Sequence, residues 1–149
     1  MINAMKNTIT VGLSVASLRE MINAQCAWVD VTNLATLPPI VNPTKEGDVE
    51  GALRVGITDF MCLFSGYVES WSYDDDIVKI EMLLGDNPTR VVSRMAHLIE
   101  VFVTNGVLAN LYAKQPQAKL VCGFFQGERL KAESRLKQFL SKIENWEIN

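Results

Sequence analysis

The chain holds one histidine, three cysteines and no CxxC pair, and these shortages narrow its chemistry. With His97 alone, a Ser/His/Asp or Cys/His arrangement has a single possible base, and no local motif around it supports such an arrangement. Cys26, Cys62 and Cys122 are an odd set without short metal-ligand spacing. They read as reduced core thiols in apolar, strand-like surroundings and as a cytoplasmic composition, not as a disulfide framework or zinc site. GxGxxG and GxxxxGK[ST] are both missing, so no phosphate-cradling loop is expected. Charge of one sign is not in excess: 14 basic against 17 acidic residues leave a net of -3, too little to draw nucleic acid or an anionic membrane. No unbroken apolar run approaches the roughly 18 residues of a membrane span, and Arg19 and Glu20 interrupt the run at 9–18 before it can serve as a secretion signal. Repeats and low-complexity linkers are absent too.

What remains is 149 residues with 48% hydrophobic and 21% charged content, the size and composition of one globular domain. The charge is unevenly laid down. Residues 46–86 carry ten acidic and two basic side chains, whereas 128–142 carry five basic and two acidic ones. Opposite charges so placed can attract within an oligomer or toward a partner.

Residues 60–84 hold the strongest pattern. Phe60, Cys62, Phe64, Gly66 and Val68 alternate with Met61, Leu63, Ser65, Tyr67, Glu69 and Trp71; Val78, Ile80, Met82 and Leu84 alternate with Lys79 and Glu81. Period-two alternation on both sides of a polar turn at 72–76 predicts an antiparallel hairpin. Upstream, 8–13 reads as a short strand or arm, and Ser17-Leu18-Arg19-Glu20 as a capping box for a helix that starts at about Ser14 or Ser17 and ends near Gln25. Residues 27–31 are a candidate strand. Residues 33–51, with Pro38, Pro39 and Pro43, form a long loop in which Ile40 and Val41 can make an edge strand at most. Alternation resumes at 52–58, where Gly56 permits a bulge or a close backbone approach. Asn87-Pro88 is an N-cap and first-turn signal for a helix closed by Asn105-Gly106. Residues 107–113 and 119–125 read as strands turned around Gln115-Pro116-Gln117. A last helix from about Gly127 carries the stripe Ala132, Leu136, Phe139, Leu140, Ile143 and Trp146. The sum is a single α+β domain: a mainly antiparallel sheet of about five strands with three packed helices.

Asp74, Asp75 and Asp76 invite a calcium reading, but an EF-hand begun at Asp74 meets Val78, Lys79, Ile80 and Gly85 where oxygen ligands, glycine and glutamate belong. The triplet therefore reads as a solvated hairpin tip, and no metal or cofactor is expected. Tyr67, Trp71, Tyr73 and Asp74 form a protein-contact edge, with Phe139 and Trp146 of the last helix as further partner-binding candidates. A small carboxylate-dependent enzyme would need Asp59, Glu69, Asp74, Asp76 and His97 to converge in one cleft.

The element order, the acidic balance and the closing Leu-Lys-Gln-Phe-Leu-Ser-Lys-Ile-Glu-Asn-Trp at 136–146 resemble the small dimeric chaperones of bacterial type III secretion systems. That resemblance implies a non-enzymatic, homo-oligomeric module in the cytoplasm that binds extended segments of a partner protein. The chain is also similar to phage tail-completion and terminator proteins, which implies a ring-forming virion subunit whose neighbours meet at 1–13 and 33–51. The charge balance and the lack of a long apolar run leave neither nucleic acid nor membrane as an expected partner.

Overall fold

The computed structural model describes residues 8–46, 48–74, 76–83 and 89–148, without the side chains of 46, 89–90 and 143–148. Strand β1 (Ile9–Ser14) runs straight into helix α1 (Val15–Thr32), because Ser14 ends the one and caps the other: its hydroxyl accepts the Ser17 amide at 3.2 Å. Of the two expected starts, Ser14 and Ser17, the cap is Ser14, and the box at Ser17–Glu20 lies one turn inside the helix. α1 also continues through Cys26 and Trp28, so 27–31 is helix and not strand. Leu18, Ile22, Cys26 and Val29 recur every three or four residues, and that stripe is fully buried.

A short helix α2 (Pro43–Glu46) interrupts the proline-rich loop. Asn42 caps it through Thr44, and Pro43 occupies the first position, where its missing amide costs nothing. Ile40 and Val41 belong to no strand. Helix α3 (Val49–Leu63) follows, capped by the Asp48 carboxylate on the Gly51 amide at 2.8 Å. Residues 52–58, expected as a strand, lie inside it. Leu53, Ile57, Phe60 and Phe64 form its buried face, while Val55, which completed the alternation, points to solvent. Gly56 provides the close approach, between helices: a Cβ there would stand 3.2 Å from Val107.

One turn of 3-10 helix at Ser65–Tyr67 leads into β2 (Val68–Tyr73) and β3 (Ile77–Met82). The hairpin exists, but its first arm is shorter than 60–71, because Phe60 to Leu63 are helical. Ser72 and Tyr73, expected in the turn, are still in the strand, and β3 resumes at Ile77. β1 adds to the other side of β3, giving among the described residues an antiparallel sheet of three strands in the order β1-β3-β2, against the five expected.

Helices α4 (Thr89–Tyr112) and α5 (Lys119–Ile148) are the expected second and third helices, lengthened over the remaining expected strands; with α2 and α3 the described residues hold five helices against the expected three. The expected start at Asn87-Pro88 lies outside the described residues. The stop expected at Asn105-Gly106 does not occur. A helical glycine costs about 1 kcal/mol, whereas Val103, Val107, Leu108, Leu111 and Tyr112 around it are buried, each worth roughly 1.5–3 kcal/mol for a large apolar side chain. Gly106 also gives room to Arg129 of α5, whose side chain would meet a Cβ there at 3.5 Å. The break expected at Gln115-Pro116-Gln117 is present, as one 3-10 turn between the two helices.

The helices cover one face of the sheet, where Val11, Leu13, Val78, Ile80 and Met82 are buried against them. Phe60 and Phe64 stack at 5.0 Å and both meet the Phe102 ring edge-on at 6.2 Å; Tyr112 stacks on Phe125 at 5.9 Å. All three cysteines are helical: Cys26 is buried, Cys122 half-buried and Cys62 exposed, so only Cys26 is the expected core thiol. Residues Val91–Tyr112 are long and apolar enough to cross a membrane by composition, but half of that stretch is buried inside this fold.

Candidate functional site

β2 is paired with β3 on one side, and no strand pairs with its other side among the described residues. The ladder shows which groups that open edge presents. The Asp74 amide donates to the Ile77 carbonyl at 3.1 Å, and the Leu83 amide to the Tyr67 carbonyl at 2.8 Å. Hydrogen-bonded and non-bonded pairs alternate in an antiparallel ladder, so Ser72 and Ser70 bond to Lys79 and Glu81 opposite them. The N–H and C=O of Trp71 and Tyr73 consequently face outward.

The side chains of those two residues share one face because of a bulge. Val68 stands opposite Met82 and Ser70 opposite Glu81, so Val68 and Glu69 together face one residue of β3. Strict alternation puts Val68 and Trp71 on opposite faces; the extra residue brings Val68, Trp71 and Tyr73 to the same side, across from Met82, Ile80 and Val78. There the sheet overhangs α3. Trp71 and Tyr73 with Arg54 and Thr58 of α3 line an open cleft of about 420 Å³ that Ser72 completes.

A string of polar contacts fixes the cleft wall. The Arg54 guanidinium lies 4.2 Å over the Tyr73 ring. The Tyr73 hydroxyl donates to Glu50 Oε2 at 3.3 Å, and Glu50 Oε1 receives Arg19 of α1. Among the described residues Arg54 makes no ion pair, so its charge is held by an aromatic face at the cleft. The hairpin tip is set by Asp74, whose Oδ1 accepts the amides of Asp76 and Ile77, each at 2.9 Å. These two bonds, the Asp76 amide first, hold the Asp74 carboxyl below its ordinary pKa. The Asp76 carbonyl in turn accepts the Val15 amide at 3.0 Å and ties the tip to the start of α1.

Of the expected partner-binding residues, Trp71, Tyr73 and Asp74 therefore come together along one edge. Tyr67 sits half-buried at the entrance to β2, packed on the core. Phe139 is also half-buried, on α5, where it packs on the core. The side chain of Trp146 lies outside the described residues. Arg54 and Thr58 went unnoticed in the sequence although they are one helical turn apart; Asp48, followed by the stripe at 53, 57 and 60, was the signal for that helix.

A second surface feature escaped the sequence for the same reason. Trp28 of α1 and Phe124 of α5 pack at 5.8 Å and stay about half exposed, with Gln25 lining a shallow cleft of about 250 Å³ beside them. Val31 and Leu120, on the same two helices, are 70% and 90% exposed.

The carboxylates and the histidine do not gather. Asp59 on α3 faces Arg129 of α5 at 3.8 Å, Glu69 stands at the bulge, Asp74 and Asp76 form the hairpin tip, and His97 is exposed on α4. Among the described residues no three His, Cys, Asp or Glu side chains form a group able to hold a metal ion. The chain matches no protein-family model, no curated protein and no solved structure.

Proposed function

We propose that the protein is a non-enzymatic polypeptide-binding module that takes an extended segment of a partner protein as a fourth strand on the open edge of β2. The observation that carries this reading is the coincidence at Trp71 and Tyr73. Their main-chain groups face the open edge, and their side chains face a cleft. Strand addition uses both kinds of group, main-chain bonds for affinity and a pocket for alternate side chains of the incoming strand. A native edge this exposed normally carries charges or a bulge that keep it from pairing indiscriminately, and this edge has both, in Glu69 of β2 and Asp74 just beyond it and in the irregularity at 68–70.

The test uses a cellulose-bound array of short, extended peptides of varied sequence. Trp71→Pro removes an amide that points away from β3, a substitution an edge strand tolerates, while deleting an outward donor and a cleft side chain. The wild-type protein is expected to retain a subset of peptides and the variant to lose them, with unchanged circular dichroism for both. Equal retention by the two proteins contradicts strand addition at β2.

A second reading, a subunit that assembles side by side into a ring, draws on the exposed Trp28, Val31, Leu120 and Phe124. Monomeric proteins seldom leave large apolar patches uncovered, and this one is separate from the β2 edge.

A further inference from the structure

We infer that the segment completing β2 belongs to a different protein and is basic at its ends, with lysine or arginine on both sides of a bulky apolar residue; this rests on the strand-addition reading above. The surroundings of the edge select that chemistry. Glu69 at the bulge and Asp74 and Asp76 at the hairpin tip are exposed at the two ends of β2. Residues 46–86, which supply α3 and the hairpin, hold ten acidic and two basic side chains. Of the cations here, Arg54 is stacked on Tyr73, and Lys79 projects from the exposed face of β3. Opposite charge across an interface steers encounter and rejects wrong partners. Between the two acidic ends, the cleft under Trp71 and Tyr73 has room for one large side chain and offers it two rings and the Thr58 hydroxyl.

The same charges disfavour a second copy of this chain. Because Trp71 and Tyr73 carry the outward main-chain groups, two β2 strands would pair with Trp71 of each opposite Tyr73 of the other. That register sets Asp74 of each copy opposite Ser70 of its mate, next to Glu69, at both ends of the pairing. Like charges brought together across strands are destabilising, whereas a partner with basic ends meets the same groups favourably. Glu69 and Asp74 are five residues apart along β2, about 17 Å at the strand rise, which sets the spacing of the partner's cations.

Fluorescence anisotropy with labelled, end-blocked peptides tests this. The probe is Ser-Lys-Thr-Phe-Thr-Val-Lys-Ser; the comparisons replace both lysines by serine, replace both by glutamate, or keep the lysines and N-methylate the central backbone amides. The lysine peptide is expected to bind about three- to tenfold tighter than the serine peptide, as two partly screened ion pairs allow, and the glutamate peptide weakest of all. The gap should narrow in high salt and shrink in a Glu69→Gln variant. Equal affinity of the lysine, serine and glutamate peptides, with binding still abolished by N-methylation, overturns the inference and leaves strand addition standing. Undiminished binding of the N-methylated peptide, or no binding by any of the peptides, overturns both.

Discussion

Tyr112 is fully buried on α4, and its hydroxyl finds no hydrogen-bond partner of good geometry. The Cys26 thiol of α1 stands beside it. Burial is the main cause that pushes both groups up, with each influencing the other and the Asp30 carboxylate adding to the effect. Both are therefore neutral in the fold, while in the unfolded chain they ionise near their ordinary values of 9.0 and 10.0. A folded pKa above the unfolded one contributes stability that is fully present below the unfolded value and is lost as pH rises beyond it. Urea midpoints are accordingly expected to hold steady up to about pH 9 and to fall above it. Tyr112→Phe removes an unsatisfied buried hydroxyl while keeping the ring on Phe125, so it should raise stability at neutral pH by about 1 kcal/mol and flatten the alkaline fall. A Phe variant less stable than wild type would show that the hydroxyl does have a good partner. Asp74 acts with the opposite sign: its pKa is lowered, so its contribution is present above the ordinary 3.8 and is lost as pH falls below it.

At the scale of elements, the proline-rich segment is ordered by the turn that joins α4 to α5. Gln115 pairs with the backbone of Val41 as a neighbouring strand would, accepting its amide at 2.9 Å and donating to its carbonyl at 2.6 Å. Gln117 donates to the Pro39 carbonyl at 3.1 Å, and Asn42 donates to Asp30 of α1 at 3.1 Å. Two glutamines thus satisfy backbone groups that the prolines keep out of any sheet. Gln115→Ala should release the loop and speed limited proteolysis within 33–42 severalfold, with little loss of global stability, since loops open locally without unfolding the core. Unchanged cleavage would mean that Leu34 and Leu37, both more than 80% exposed, already leave the segment open. The element boundaries that escaped the sequence share one cause. Leu53, Val55 and Ile57, the residues at 107–113 and those at 119–125 satisfy a strand pattern and a helix pattern alike over seven residues or so. Only the partners of each segment distinguish the two. β3 was legible because Val78, Ile80 and Met82 alternate with charged residues and leave no helical alternative.

For the whole molecule, the two blocks of opposite charge meet partly within one chain. Arg129, from the basic α5, crosses α4 at Gly106, lies 5.0 Å from the Phe102 ring and reaches Asp59 of the acidic α3 at 3.8 Å. Attraction between copies is left to the rest. The surface suited to it is apolar: Trp28 and Phe124 with Val31 and Leu120, side chains of the kind that form the buried centre of interfaces. Light scattering should give a mass above one chain, falling to that of the monomer in Leu120→Glu/Phe124→Glu. A small closed number of subunits fits the binding module, and a larger ring fits the assembly subunit. A concentration-independent monomer for the wild type would remove both forms of self-association and leave strand addition as a property of the single chain.

The sequence by itself determined the α+β class, the hairpin with its acidic tip, the aromatics Trp71 and Tyr73 in its first arm, and the absence of any short motif for metal or phosphate. Each of these depends on neighbours a few residues away, where side-chain period and turn chemistry act directly. Tertiary structure decided the rest. It turned four apolar segments into helix because their faces meet other helices. It put the strand at 9–14 beside β3, a pairing of residues about 70 apart in the chain. The bulge at 68–70 set Trp71 and Tyr73 over Arg54 and Thr58, a cleft made by two elements whose meeting no local pattern encodes.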